Sequence, residues 1–164
     1  MQTEQTEQTG LKGVIQLRGS LRIALRDLEG KILQERLVNN LVVTQGRSWV
    51  LGQLQSNNIQ TAQVIGWLAI GTASAAPTTA DVLLGSEVTR IAIGTWVTST
   101  LTANPPNWQA QASFASNVGN TTLAEVGLFN VSNANSATML GHATFTSFSK
   151  TTSNTLTISY TISG

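Results

Sequence analysis

Residues 154–163, Asn-Thr-Leu-Thr-Ile-Ser-Tyr-Thr-Ile-Ser, alternate apolar and hydroxyl side chains. Because side chains of a strand point to opposite faces in turn, the Leu, Ile, Tyr and Ile of this segment would share one face. The same alternation occurs over residues 108–114, where Trp, Ala and Phe alternate with Gln and Ser. Both segments predict β-strands with one apolar face and one neutral polar face.

Further strands are predicted on both sides of these two segments. Residues 14–38 predict a hairpin whose turn lies at Asp27-Leu28-Glu29-Gly30, and residues 64–70 are apolar enough for a strand covered on both faces. After Glu87 the prediction is β only. The strands expected there are at about 88–102, 108–116, 122–131, 138–148 and 154–163.

One short helix is predicted among the strands, over residues 44–55 with Thr44 as its N-cap. A single helical turn is also expected over residues 81–84, capped by Thr79. The apolar side of the first helix is expected to hold Trp49 or Val50 with Leu51 and Leu54.

These elements predict a mainly β fold, a β-sandwich or jelly-roll-like barrel with one short helix. At 164 residues one domain is expected, here over residues 14–164 with a β body at 59–163. Residues 1–13 are predicted to form an extended arm. Their TEQTEQT repeat contains no apolar residue between Met1 and Leu11, so the arm cannot bury itself.

The composition is poor in charge. Only 10% of the residues are charged, against about 25% in ordinary soluble proteins. Polarity comes instead from 38 Ser and Thr and 24 Asn and Gln residues. A neutral polar surface favours association of copies, because like charges would repel where hydroxyls and amides can pair.

Composition also narrows the function classes. The net charge of +1 argues against a nucleic-acid partner, and no apolar run is long enough to span a membrane or serve as a secretion signal. The chain has no Cys and one His, which leaves no thiolate chemistry and no metal cluster. No glycine-rich phosphate loop is present, so nucleotide binding is not expected. Taken together, these observations lead us to expect no catalytic residue, metal or cofactor.

Four charged residues are candidates for structural polar pairs. Glu87 and Arg90 bracket the start of a predicted strand, where an ion pair or a cap is expected. Glu125 lies within a mostly apolar strand and should be paired or hydrogen-bonded, with Arg90 or Arg47 as its candidate partner.

His142 is expected to be a hydrogen-bonded or surface histidine. A Ser-His-Asp triad is formally possible, with Asp27 or Asp81 orienting the ring, but no G-x-S-x-G motif accompanies it. An enzyme acting on carbohydrate would instead draw its carboxylates from Asp81, Glu87 and Glu125, which lie in different segments.

A series of short motifs runs along residues 20–163. The series is Asp27-x-x-Gly30, Asn39-Asn40-Leu41-Val42-Val43-Thr44, Ile70-Gly71-Thr72, Pro77 to Leu83, Glu87-x-x-Arg90, Glu125 to Asn130 and Phe145 to Ile162. In this order the motifs resemble structural proteins of tailed bacteriophages, especially capsid cement (decoration) proteins with a β-tulip or jelly-roll core. Related patterns also occur in phage tail and fibre proteins.

The resemblance implies a non-enzymatic homotrimer on the outer surface of the virion head, where it would stabilise contacts between major capsid subunits. The alternative is a tail, baseplate or fibre module involved in host attachment. On the first interpretation the arm would extend from the body and lie along capsid protein or an adjacent subunit. The arm residues expected to make these contacts are Thr3, Glu4, Gln5, Thr6, Glu7, Gln8, Thr9, Leu11 and Lys12.

Overall fold

A computed structural model describes residues 17–55, 65–97 and 107–163. These residues form nine strands, one α-helix and a 3-10 turn at Ala134–Ser136. The helix is α1 (Thr44–Gln55). The strands are β1 (Arg18–Asp27), β2 (Ile32–Val42), β3 (Trp67–Gly71), β4 (Glu87–Ala92), β5 (Thr95–Val97), β6 (Asn107–Phe114), β7 (Thr122–Phe129), β8 (Met139–Ser149) and β9 (Asn154–Ser163).

All nine strands belong to one antiparallel sheet, in the order β4-β3-β7-β8-β2-β1-β9-β6-β5. The two outermost strands, β4 and β5, are joined by the dipeptide Ile93-Gly94, which contacts both ends of the sheet. Its Ile93 amide donates to the Gly66 carbonyl at 2.8 Å, and its Gly94 amide donates to the Gln111 carbonyl at 3.1 Å. The sheet is therefore nearly closed into a barrel, and the expected mainly β single domain is confirmed.

The barrel interior is filled by the apolar residues that alternate in sequence. Leu156, Ile158 and Tyr160 of β9 are at most 1% exposed, as are Ala110 and Phe114 of β6. The hydroxyl and amide residues between them lie on the outer face, where Gln111 donates to the Ser159 hydroxyl at 3.0 Å. Burial in these strands therefore follows the two-residue alternation of apolar and polar side chains seen in the sequence.

The predicted strand at 88–102 is wrong as a single element. The structure breaks it at Ile93-Gly94, so that β4 pairs with β3 while β5 pairs with β6. The cause is barrel closure: this segment must leave one end of the sheet and join the other. Residues 98–106 lie outside the described part of the chain.

Helix α1 has the predicted bounds but a different inward face. Trp49 and Val50 pack against the barrel core, whereas Leu51 is 54% exposed. Gly46, not Leu51, completes the inward face, because a Cβ on Gly46 would collide with the backbone of Leu140. The missing side chain lets the helix backbone approach β8 closely.

The predicted helical turn at 81–84 is absent. Asp81 instead closes a turn with Thr78: its carboxylate accepts from the Thr78 amide at 2.9 Å and from the Thr78 hydroxyl at 2.6 Å. With the Asp81 amide donating to the Thr78 carbonyl at 3.2 Å, these bonds close a four-residue turn that does not continue into a helix. None of the described helices is long and apolar enough to cross a membrane.

The close approach at Gly46 gives a stability prediction. Gly46→Ala should lower the free energy of unfolding by about 1–3 kcal/mol, because the new Cβ forces α1 away from β8. Urea denaturation followed by tryptophan fluorescence measures the change.

Gly52→Ala is the matched control in the same helix. Nothing lies within 4 Å of a Cβ placed there, so the better helix propensity of Ala should raise stability by about 0.5–1 kcal/mol. Equal effects of the two substitutions would contradict the packing assigned to Gly46.

Candidate functional site

A second apolar cluster lies on the outside of the barrel, beneath the loop 72–86 that connects β3 to β4. Leu84 of this loop packs there with Phe129 of β7 and Met139 of β8. Gly127 of β7 and His142 of β8 are register partners, so both lie on the same outer face of the barrel as this apolar cluster. Polar side chains in this layer are therefore covered by the loop and kept from solvent.

Glu125 is the buried anion of this layer and is fully inaccessible to solvent. Its Oε1 accepts from the amides of Ala73 at 3.1 Å and Ser86 at 2.8 Å, and its Oε2 accepts from the amide of Gly85 at 2.9 Å. All three donors belong to loop 72–86. The carboxylate thus supplies the acceptors that this irregular stretch of backbone needs.

Glycine residues make room for the carboxylate. A Cβ on Gly71 would collide with Glu125 Oε1, and one on Gly85 would stand 2.8 Å from the Ala73 Cβ. Glycine is therefore required at the two ends of the loop, at Gly71 and Gly85, by the close packing around Glu125.

His142 lies between two carboxylates. Its Nε2 is 3.1 Å from Glu125 Oε2, and its Nδ1 is 2.7 Å from Asp81 Oδ2. The ring is 5% exposed. Since carboxylates only accept, the ring donates to both when it carries a proton on each nitrogen.

Asp81 anchors the tip of loop 72–86 to this histidine. Partial burial acts to raise the pKa of Asp81, but the hydrogen bonds from Thr78 and the contact with His142 outweigh it and hold the pKa below its usual value of 3.8. The ionised form of Asp81 is therefore the one that the folded state favours.

The Asp81–His142–Glu125 cluster is saturated by internal hydrogen bonds. Both ring nitrogens of His142 are engaged by carboxylates, so neither is free to activate a hydroxyl nucleophile. Within residues 17–55, 65–97 and 107–163 no group of three or more metal-ligating side chains is placed to hold a metal ion. The arrangement fastens the loop to the barrel.

Glu87 and Arg90 form the ion pair expected from their spacing. The guanidinium binds the carboxylate through two bonds of 2.7 and 2.6 Å, donates to the Val131 carbonyl at 2.9 Å, and lies 4.1 Å from the centroid of the Phe129 ring. Such bidentate geometry with a cation–π contact fixes Arg90 over the outer cluster.

The expected pairing of Glu125 with an arginine is wrong. Arg90 is committed to Glu87, and Arg47 is exposed on α1. Backbone amides and His142 take the place of the arginine, because the loop brings donors to Glu125 that no side-chain pattern reveals. The arm residues 3–9, Leu11 and Lys12 lie outside the described part of the chain.

Sequence reasoning missed Lys150, a cation buried to 2% exposure directly after β8. Its Nζ donates to the Ala115 carbonyl and to Asn120 Oδ1, each at 2.8 Å. Burial lowers the pKa of Lys150. The only signal was a charged residue at the end of an apolar strand, which does not reveal that neutral oxygens would bind it.

A further buried polar group lies at the end of the barrel interior next to β8. The Tyr160 hydroxyl and the Asn40 side-chain amide have no hydrogen-bond partner in the part of the chain that the structure describes. A Cβ on Gly141 would collide with both. Burial raises the pKa of Tyr160, so this group is a neutral phenol packed as part of the core.

Comparison of the chain with protein-family models, with curated proteins and with solved structures finds no match. What the site does must therefore be inferred from its own geometry. In that geometry the side chains of Asp81, His142 and Glu125 are engaged in hydrogen bonds that hold loop 72–86 on the barrel.

The saturation of Glu125 gives a stability prediction. Glu125→Gln should lower the free energy of unfolding by about 2–4 kcal/mol, because one oxygen becomes an NH2 group and leaves buried amide or imidazole donors without an acceptor. Urea denaturation near neutral pH measures the loss.

Glu29→Gln makes the same chemical change at an exposed position in the β1–β2 turn and should alter stability by less than about 0.5 kcal/mol. If the two variants unfolded at the same urea concentration, Glu125 would not hold the loop.

Asp81 gives a pH prediction. Because its folded pKa lies below its unfolded value, its stabilising contribution is present above pH 3.8 and is lost as the pH falls through the folded pKa. The stability difference between wild type and Asp81→Asn should therefore be largest near neutral pH and should shrink below pH 3.8. Urea unfolding of both proteins between about pH 7 and about pH 2 tests this, and a difference independent of pH would contradict it.

Proposed function

We propose that this protein is a non-enzymatic structural component of a bacteriophage virion, a capsid cement protein. As a homotrimer it binds the outer surface of the head and stabilises contacts between major capsid subunits. The motif series described above is one support. The observation that carries the proposal is the character of the barrel's outer surface.

The outer face of β2, β1, β9 and β6 forms an open groove of about 510 Å³. Its polar lining is Ser20, Asn39, Gln109, Ser159 and Thr161, and the one charged lining residue is Arg22. Arg22 is already paired with Glu35 at 2.6 Å. A surface of hydroxyls and amides suits contact with copies of itself or with a protein shell, because desolvating neutral groups costs less than desolvating charges.

An apolar residue stands beside this neutral groove. Leu37 of β2 lines it and is 75% exposed. Interfaces bury apolar anchors surrounded by polar groups, and a large exposed aliphatic side chain next to a neutral polar groove has that composition. The groove together with Leu37 thus has the composition of one side of a protein–protein interface.

The same groove lacks the side chains that acid–base catalysis would use. Its lining contains no Asp, Glu, His or Lys, so it offers no general acid or base. The carboxylates considered for a glycoside hydrolase are engaged elsewhere: Asp81 and Glu125 bind His142, and Glu87 binds Arg90. These features favour a binding role over turnover.

Two measurements test the proposal, the molecular mass of the purified protein in solution and its binding to capsid shells. Purified protein should elute in size-exclusion chromatography with light scattering as three times the 17.4 kDa chain. It should cosediment with expanded shells assembled from the major capsid protein of the same phage. Removal of residues 1–13 should weaken that cosedimentation.

Ser159→Arg supplies the matched interface variant and Ser153→Arg, in the exposed β8–β9 turn, its control. Because like charges in a symmetric contact repel, Ser159→Arg should weaken self-association or shell binding by about tenfold or more, and Ser153→Arg should not. Protein that stays monomeric and ignores shells, or that binds host cells instead, contradicts the proposal.

A further inference from the structure

Among the residues that the structure describes, strand β2 is paired on one side only along most of its length. Residues 32–40 pair with β1, but pairing with β8 is limited to Leu41 with His142 and Val42 with Gly141. Residues 143–149 of β8 pair with β7 on their other side. Between residues 32–40 and 143–149 the barrel therefore has a seam, bordered by two strand edges without a shared ladder.

Arg36 fills this seam. Its cross-strand neighbour on β1 is the fully buried Ile23, so its side chain lies on the interior face. Its guanidinium donates to the carbonyl of Glu35 at 2.9 Å and, across the seam, to the carbonyl of Thr146 at 3.3 Å. A third bond goes to Gln34 Oε1 at 3.1 Å. Within the described residues no carboxylate lies at ion-pair distance from Arg36, so this cation is held by neutral oxygens alone.

The edge strand also carries exposed apolar side chains. Ile32, Leu33 and Leu37 are 38%, 48% and 75% exposed. A strand with a free backbone edge and exposed apolar residues is a template for pairing with another chain. Recognition by strand addition uses such edges, with main-chain bonds supplying affinity and side chains supplying specificity.

We propose that residues 3–9 of a second copy of this chain add as a strand to the free edge of β2 in the seam. The segment Thr-Glu-Gln-Thr-Glu-Gln-Thr has seven residues, which reach about 23 Å when extended and match the length of residues 32–38. Its carboxylates, Glu4 and Glu7, are the anions that Arg36 lacks. This inference rests on the proposed self-association and names its contact.

The route of the chain favours a second copy as the donor. β1 begins at Arg18, and β2 lies between it and the seam. β2 does not end freely: it continues through Val43, whose amide donates to the Leu140 carbonyl at 3.2 Å, into α1. A segment entering the seam of its own barrel must therefore pass around the outside of β2, whereas a neighbour's segment can enter directly.

Cysteine cross-linking tests the contact, because the natural chain has no Cys. Chains carrying only Gln5→Cys are mixed with chains carrying only Gln34→Cys and oxidised, so that Arg36, Glu4 and Glu7 all stay in place. A disulfide-linked heterodimer is expected on non-reducing gels. Ser153→Cys, in the exposed β8–β9 turn, replaces Gln34→Cys in the control mixture and should give at least about tenfold less heterodimer.

The remaining outcomes separate this inference from the proposed function. No cross-link while the protein keeps its trimer mass overturns the seam contact and leaves the assembly standing. A disulfide that forms only within one chain of the Gln5→Cys, Gln34→Cys double variant assigns the segment to its own barrel and also overturns the inference. A monomeric wild type overturns both. If Gln34→Cys fails to fold, Ile32→Cys on the same edge, mixed with Thr3→Cys, gives the same test.

Discussion

The Glu125 carboxylate is the interaction on which the outer layer of the structure depends. A fully buried anion must be matched by donors, and three of its donors are backbone amides of the loop between β3 and β4. Leu84 also packs this loop against the barrel, but Glu125 supplies the acceptors for three of its backbone amides. Because the carboxylate is fixed on β7, the positions of Ala73, Gly85 and Ser86 are fixed with it.

That constraint extends along the loop and into the helix. The histidine between Glu125 and Asp81 carries the hydrogen-bond network to the loop tip, and the Thr79 carbonyl there accepts from the amide of Thr44, the first residue of α1, at 2.8 Å. Leu84 closes the apolar cluster under the same loop. A single buried charge thus links an irregular segment, two strands and the start of α1 into one layer.

The sequence predicted what depends on local periodicity and missed what depends on closure. The β9 strand follows from two-residue alternation, which is a property of neighbouring residues, and the predicted bounds of α1 agree with the structure, although Thr44 is the first helical residue and not the N-cap. The break at Ile93-Gly94 could not be read in this way, because it arises only when the two ends of the sheet meet. The partners of Glu125 were hidden for a related reason: backbone amides are the same at every residue, so no side-chain pattern marks the ones that will donate. The Glu87–Arg90 ion pair could be predicted because the two residues are only three positions apart in the sequence.

The seam beside β2 shows how one side chain can serve both a free and an assembled state. A free strand edge invites unwanted pairing, and an inward-pointing charge is a known protection against it. Arg36 provides that protection by binding the Glu35 and Thr146 carbonyls. Those bonds join a charged donor to neutral acceptors, and a carboxylate is a stronger partner for the same guanidinium. An acidic, neutral-flanked strand such as the TEQTEQT segment can therefore displace the carbonyls, whereas an apolar or basic strand meets an unpaired cation. In the proposed contact, the charge that guards the edge would also select the strand that covers it.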